Sequence, residues 1–149
     1  MLKPDAPDTI RLSLPSRLEL LAVLDRLAAM LCERMEFDED ASAQVTMSVI
    51  EAGTNAIQHG HHRDASKSFD VVFELRPDRL EVTVHDTGTG FDLSGIDGDV
   101  TAPERLFEPR GRGIYIMRAC MDAVDFRFES SGTYCHLVKH RRAVSAATG

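Results

Sequence analysis

Cysteine is scarce in this chain, and the three that occur, Cys32, Cys120 and Cys135, are far apart and odd in number. They offer neither a disulfide framework nor a paired-thiol metal motif, so a reducing cytoplasm is the expected compartment. Basic clusters are missing as well. Outside Lys139–Arg142 there is no run of Lys or Arg, and the net charge of −7 argues against a nucleic-acid footprint. No apolar stretch is long enough to span a bilayer, and the polar opening MLKPDAPD does not read as a signal peptide. The chain also lacks a serine nucleophile elbow, an HExxH helix and a G-x-x-x-x-G-K-[ST] phosphate loop, which removes three common chemistries.

What is present is ordinary for a soluble globular protein: 149 residues, 43% hydrophobic and 28% charged. That length supports a single domain with a real core, expected over residues 1–142, with 143–149 (AVSAATG) as a frayed tail. Thr9–Pro15 alternates apolar and polar residues and predicts a strand. Ser16 is then expected to cap a helix over Arg17–Met35, whose leucines at 18, 20, 21, 24, 27 and 31 form one apolar face. That face suits core burial and a homodimer surface equally. Asp38 is expected to cap a second helix ending at Gly60. Phe69–Leu75 and Leu80–Asp86 read as a hairpin across a Pro-Asp turn. Periodicity then stops from Thr87 to Arg112, a gap whose length suggests a functional lid. A short helix over Gly113–Met121 and two strands, Ala123–Glu129 and Thr133–His140, close the chain. The order β-α-α-β-β-loop-α-β-β predicts an α+β fold, a two-layer sandwich.

The chemistry starts in Val45–Gly60, VTMSVIEAGTNAIQHG. Apolar residues recur there at three- and four-residue steps, and Glu51, Asn55 and His59 stand at i, i+4 and i+8, along a single helical face. A carboxylate, a carboxamide and an imidazole bordered by small residues form either a pocket wall or the ordinary solvent-facing side of a core helix. Two glycine segments flank the gap. Asp86-Thr-Gly88-Thr-Gly90-Phe91 follows a strand, where glycines admit close approach of a ligand and the Asp can accept hydrogen bonds from it. It is no dinucleotide fingerprint, because no third Gly follows at the required spacing and no helix follows directly. Asp92, Asp97 and Asp99 lack the spacing and closing Glu of a calcium loop. Gly111-Arg-Gly113-Ile114 is placed at a helix start, where free N–H groups, the helix dipole and the charges of Arg110 and Arg112 suit an anion. His59, His61 and His62 invite a metal reading, but histidines crowded after a helix end usually face solvent.

Taken together, Glu51-Ala-x-x-Asn55-Ala-x-x-His59-Gly60, Asp86-x-Gly88-x-Gly90-Phe91, Gly111-Arg-Gly113-Ile114 and Gly132-Thr133 resemble the N, G1, G2 and G3 boxes of the GHKL ATP-binding superfamily. Within it the chain is similar to the bacterial anti-sigma-factor serine kinases, over roughly Thr9 to Arg142. The resemblance implies a Bergerat-type mixed, mostly antiparallel sheet packed on one layer of about three helices, with ATP and Mg²⁺ as cofactors. By the same resemblance, Asn55 would coordinate Mg²⁺, and Asp86 would accept a hydrogen bond from the adenine amino group. Gly88 and Gly90 would admit the base, and Thr133 would support it. Gly111, Arg112 and Gly113 would surround the phosphates, His59 would reach one of them, and Glu51 would be the catalytic base. One departure stands out: Arg112 occupies a position where many relatives carry an apolar residue or glycine, so it suits either a phosphate clamp or a partner contact.

Two functions follow from this resemblance. The first is an ATP- and Mg²⁺-dependent protein-serine kinase acting on a STAS-type anti-anti-sigma partner and thereby controlling a sigma factor. The second is a nucleotide-gated anti-sigma adaptor with little or no kinase activity. Neither involves direct contact with nucleic acid or membrane. Having Glu51 beside Asn55 favours the kinase, because a pure binder needs no base.

Overall fold

Alternation along the strands decides which side of the sheet receives the helices. In the segment Arg79–Asp86, Leu80, Val82, Val84 and Asp86 are buried while Arg79, Glu81, Thr83 and His85 are half-exposed, the period-two pattern of a sheet covered on one face. The structure, a computed structural model, describes residues 7–60, 66–88 and 109–142. Its strands are β1 (Asp8–Pro15), β2 (Ser68–Leu75), β3 (Arg79–Asp86), β4 (Ala123–Glu129) and β5 (Gly132–His140). They lie in the order β1-β2-β3-β5-β4, and every neighbouring pair is antiparallel.

Three helices cover one face: α1 (Leu21–Arg34), α2 (Glu39–Asn55) and α3 (Pro109–Cys120). Helix α2 lies between the other two and packs against both. Val45, Val49, Ala52, Ile114 and Met117 meet Phe69, Val71, Phe73, Leu80, Val82 and Leu137 in the core between the layers. Burying side chains of this size contributes about 1.5–3 kcal/mol each before entropy is counted. The fold is the expected α+β two-layer sandwich, and its sheet is antiparallel throughout the described strands. Among the described residues, no helix is long and apolar enough to cross a membrane.

Three local differences from the sequence expectation bear on function. Ser16 does not open α1: Arg17 takes the N-cap position of a 3-10 turn, Leu18–Leu20, without a side-chain cap, and α1 begins at Leu21. Of the leucine face, Leu24 and Leu31 are buried and Leu20, Leu21 and Leu27 partly so. Second, α2 starts as expected, with Asp38 Oδ1 accepting from the Ala41 amide at 2.7 Å, but its α-helical part closes at Asn55. The chain continues to Gly60 as one π-helical turn, Ala56–Gly60, a wider coil found mostly as single turns and frequently at functional sites. Third, α3 starts at Pro109, four residues before the expected Gly113. Proline suits a first helical position because its missing N–H would be unpaired there anyway. Gly111, Arg112 and Gly113 therefore lie inside the helix.

Candidate functional site

Glu51 and Asn55 project from the side of α2 that meets α3. One turn apart on the same face, they come under the backbone of Gly113, where an added Cβ would stand 2.7 Å from Glu51 Oε2 and 3.8 Å from Asn55 Oδ1. A side chain at 113 would displace the carboxylate; glycine lets the helix rest on it. Asn55 is 8% exposed, and its Nδ2 has no hydrogen-bond partner among the described residues. A buried, unpaired amide costs stability unless something else satisfies it. Glu51 is half-buried. Desolvation pushes its carboxyl above the ordinary value of 4.5, and the positive charge of Arg112 opposes that shift.

The same row of α2 extends towards its start. Gln44 Oε1 accepts from Lys139 Nζ at 2.7 Å, and Lys139 also donates to the Cys120 carbonyl at 2.6 Å. A buried ammonium thus ties the last carbonyl of α3 to α2 and β5. Between the two ends, Ser48 Oγ is fully buried and unpaired among the described residues. Gln44, Ser48 and Lys139 carry no recognisable motif. The signal that would find the first two is their spacing, seven and three residues before Glu51.

A second group forms where β3 and β5 end side by side. Asp86 pairs in register with Thr133, and both point towards the helices, with 7% and 4% exposure. Asp86 continues the buried file of Leu80, Val82 and Val84, so a carboxylate occupies what would otherwise be a core position. Its Oδ1 accepts from the Gly88 amide at 2.8 Å. Thr133 Oγ1 is buried without a partner among the described residues. Gly132 has φ +127 and lies so close to β3 that an added Cβ would stand 1.9 Å from the Asp86 carbonyl oxygen. The π turn after Asn55 packs against β3.

Of the residues singled out from sequence, Glu51, Asn55 and Gly113 are thus in one place, with Arg112 close enough to act on the Glu51 charge. Asp86, Gly88 and Thr133 form a second wall. Gly111 lies in the first turn of α3. His59 belongs to the π turn, but its side chain lies outside the described residues, as do Gly90, His61, His62 and the acidic stretch Asp92–Asp99. Among the described residues, no group of three His, Cys, Asp or Glu could hold a metal ion.

Glu51, with its raised proton affinity, and the buried Asn55 amide thus lie under the backbone of Gly113, while Asp86 ends the buried file of β3. The serine-protein kinase RsbW of Bacillus cereus (strain G9842) is 28% identical over 131 residues, covering 85% of this chain and 81% of that protein. The enzyme of the same name from Bacillus mycoides (strain KBAB4) matches at the same identity and coverage. In structure, the chain resembles the crystal structure of the RsbU and RsbW domains of Rv1364c from Mycobacterium tuberculosis. The TM-score is 0.65 at 15% identity, over 91% of this chain and 34% of that longer one. The chain spans about a third of that protein, and this likeness speaks for the fold. Residues 14–139, from the end of β1 almost to the end of β5, match the histidine kinase-like ATPase domain, and it is to this family that the chain belongs.

Proposed function

We propose that the chain is an ATP- and Mg²⁺-dependent protein-serine kinase that phosphorylates a STAS-type anti-anti-sigma protein in the cytoplasm and controls a sigma factor by switching partners. The observation that carries the reading is the contact of Gly113 with the Glu51–Asn55 pair. A nucleotide-binding helix pair needs a roof free of side chains over its polar groups, and this seam offers one.

The residues present fit the cofactors. The Asn55 amide is buried with its nitrogen unpaired, and its oxygen is the hard donor that Mg²⁺ prefers. Asn55 would hold the ion; bound there, magnesium would neutralise the charge of the phosphates. Gly111, Arg112 and Gly113 in the first turns of α3 would surround the phosphates with backbone and one guanidinium, and His59 is the further residue assigned to a phosphate. Asp86 accepts from the adenine amino group, Gly88 and Gly90 admit the ring, and Thr133 supplies its unpaired hydroxyl.

Phosphoryl transfer asks the protein mainly for positioning and charge. The substrate serine oxygen attacks the γ-phosphorus, the bond from that phosphorus to the bridging oxygen breaks, and ADP leaves with that oxygen. The serine proton passes to the Glu51 carboxylate and from there to solvent. Partial burial gives Glu51 a higher proton affinity than an exposed carboxylate, which suits a base.

The test is incubation of the full chain with ATP, Mg²⁺ and a STAS-domain protein, followed by intact mass of the partner. The expected result is a gain of one phosphate that disappears with Glu51→Gln. A stable ATP-dependent complex without any mass change would replace the kinase with a nucleotide-gated adaptor.

A further inference from the structure

The face of the sheet turned away from the helices carries an arrangement that the proposed chemistry does not use. His85, Tyr134 and Arg127 stand side by side on three adjacent strands: His85 pairs with Tyr134 across β3 and β5, and Tyr134 with Arg127 across β5 and β4. The imidazole and phenol rings stack with centroids 4.1 Å apart and planes inclined by 10°. The Arg127 guanidinium carbon lies 4.5 Å from the Tyr134 ring centre. Because Arg127 reaches Tyr134 from β4 and His85 from β3, the phenol is held between them.

Two hydrogen bonds tie this ladder to the turn between β4 and β5. His85 Nε2 donates to the Ser131 carbonyl at 2.9 Å, and the hydroxyls of Ser131 and Tyr134 are 3.1 Å apart. The turn they hold is the one that brings Gly132 onto the Asp86 carbonyl. Asp86 follows His85 in sequence and Thr133 precedes Tyr134, so both lie on the opposite face of the sheet.

We propose that His85 and Tyr134 are positioning residues for nucleotide binding: an outward-facing clasp that seats the Ser131–Gly132 turn on the end of β3 and so fixes the spacing of Asp86 and Thr133. The clasp rests on the reading of those two residues as the base-binding wall. Gly132 cannot do this alone, since its conformation is one of many open to glycine; the contacts that select it come from the neighbouring side chains. A wall displaced at this end loses contact with the base and keeps its contact with the phosphates.

Calorimetry on the full chain, with Mg²⁺–ATP and Mg²⁺–tripolyphosphate as the two probes, tests this. Tyr134→Ala and His85→Ala should each weaken ATP about five- to tenfold, the range expected for losing one stacked pair, and leave tripolyphosphate unchanged. Tyr134→Phe keeps the stack and should stay within about threefold of the unaltered protein. Combined with Asp86→Asn, the Tyr134→Ala loss should be less than additive, because both act on one contact. Unchanged ATP affinity in both alanine variants, with Asp86→Asn still weakening it, would overturn the clasp and spare the base wall. Parallel loss of both probes would reduce the clasp to general structural support. If Asp86→Asn alone left ATP affinity intact, the base wall itself would be wrong, and the clasp would fall with it.

Discussion

Gly113 and Glu51 face each other across α2 and α3 with no room for a Cβ between them: one placed on Gly113 would lie 2.7 Å from the carboxylate oxygen. Gly113→Ala must therefore move the carboxylate or lift the helix. ATP should still bind within a few-fold, because the proposed adenine wall is on β3 and β5. Phosphoryl transfer should fall by roughly a hundredfold, the scale of a displacement of about 1 Å in a reacting group. Single-turnover transfer at saturating ATP checks this, and a rate near that of the unaltered chain would mean that the contact has no part in the chemistry.

Glu51 makes a linked prediction about stability. Its proton affinity is raised in the folded protein by desolvation, with Arg112 opposing. Between the ordinary value of 4.5 and the raised one, the folded state holds more protons than the unfolded state, so stability declines as pH rises through that window. Glu51→Gln removes the charge and should raise the melting temperature at neutral pH while abolishing transfer. The gain should shrink in acid, where Glu51 is protonated in both states. Arg112→Ala should lower stability at neutral pH. Melting curves at the two pH values decide it; a gain of equal size at both would rule out the carboxylate's charge as the cause.

Asp38 is a simpler case. Its carboxylate accepts from the Ala41 amide at the start of α2, and Asp38→Ala is expected to cost about 1 kcal/mol. For a domain of this size the melting temperature should drop by about 2–4 °C. Because Asp38 is far from Glu51 in the helix, nucleotide affinity should stay as it was, which calorimetry can show.

The three thiols should differ in reactivity. Burial pushes Cys32 up to about 11, despite a hydrogen bond with Ser42. Burial, with the nearby charges of Asp86 and Asp125, pushes Cys135 up to about 12. Thiolate, the reactive form, is therefore rare at both. Cys120 is only half-buried. Iodoacetamide at neutral pH should modify Cys120 first, and all three only in denaturant. Peptide mapping that found Cys135 modified as fast as Cys120 in the folded chain would contradict the buried placement beside Asp86.

These sites were legible in the sequence to different degrees. The position of Asp86 could be read directly: alternation from Leu80 carries it to the helix side, and a carboxylate at the end of such a file needs a polar purpose. The Glu51–Asn55 row followed from helical spacing. What periodicity could not supply was the register between α2 and α3, because the contact of Glu51 with Gly113 joins residues separated by a long stretch with no pattern. The π turn was hidden too: Ala56, Ile57, Gln58 and His59 include no helix breaker, and a coil that widens by one residue per turn leaves no mark in composition. Pro109 was left inside the unpatterned gap, because the expected helix start stood at the glycines that follow it. These tolerate a helix at about 1 kcal/mol each. The Ser16 cap failed because a 3-10 turn, led by Arg17, intervenes before α1.

The sheet order has a consequence for how the chain assembles. β1 occupies an edge and its sole neighbour among the described strands is β2, which lies beyond both α1 and α2 in sequence. As the polypeptide leaves the ribosome, Ile10, Leu12 and Leu14 emerge with nothing to zip against until their partners Phe73, Val71 and Phe69 have been synthesised. The helical pair can form locally in the meantime, whereas closing so long a loop carries an entropic delay. The first of the described strands thus waits unpaired while both helices are made, and its apolar face stays uncovered for that interval.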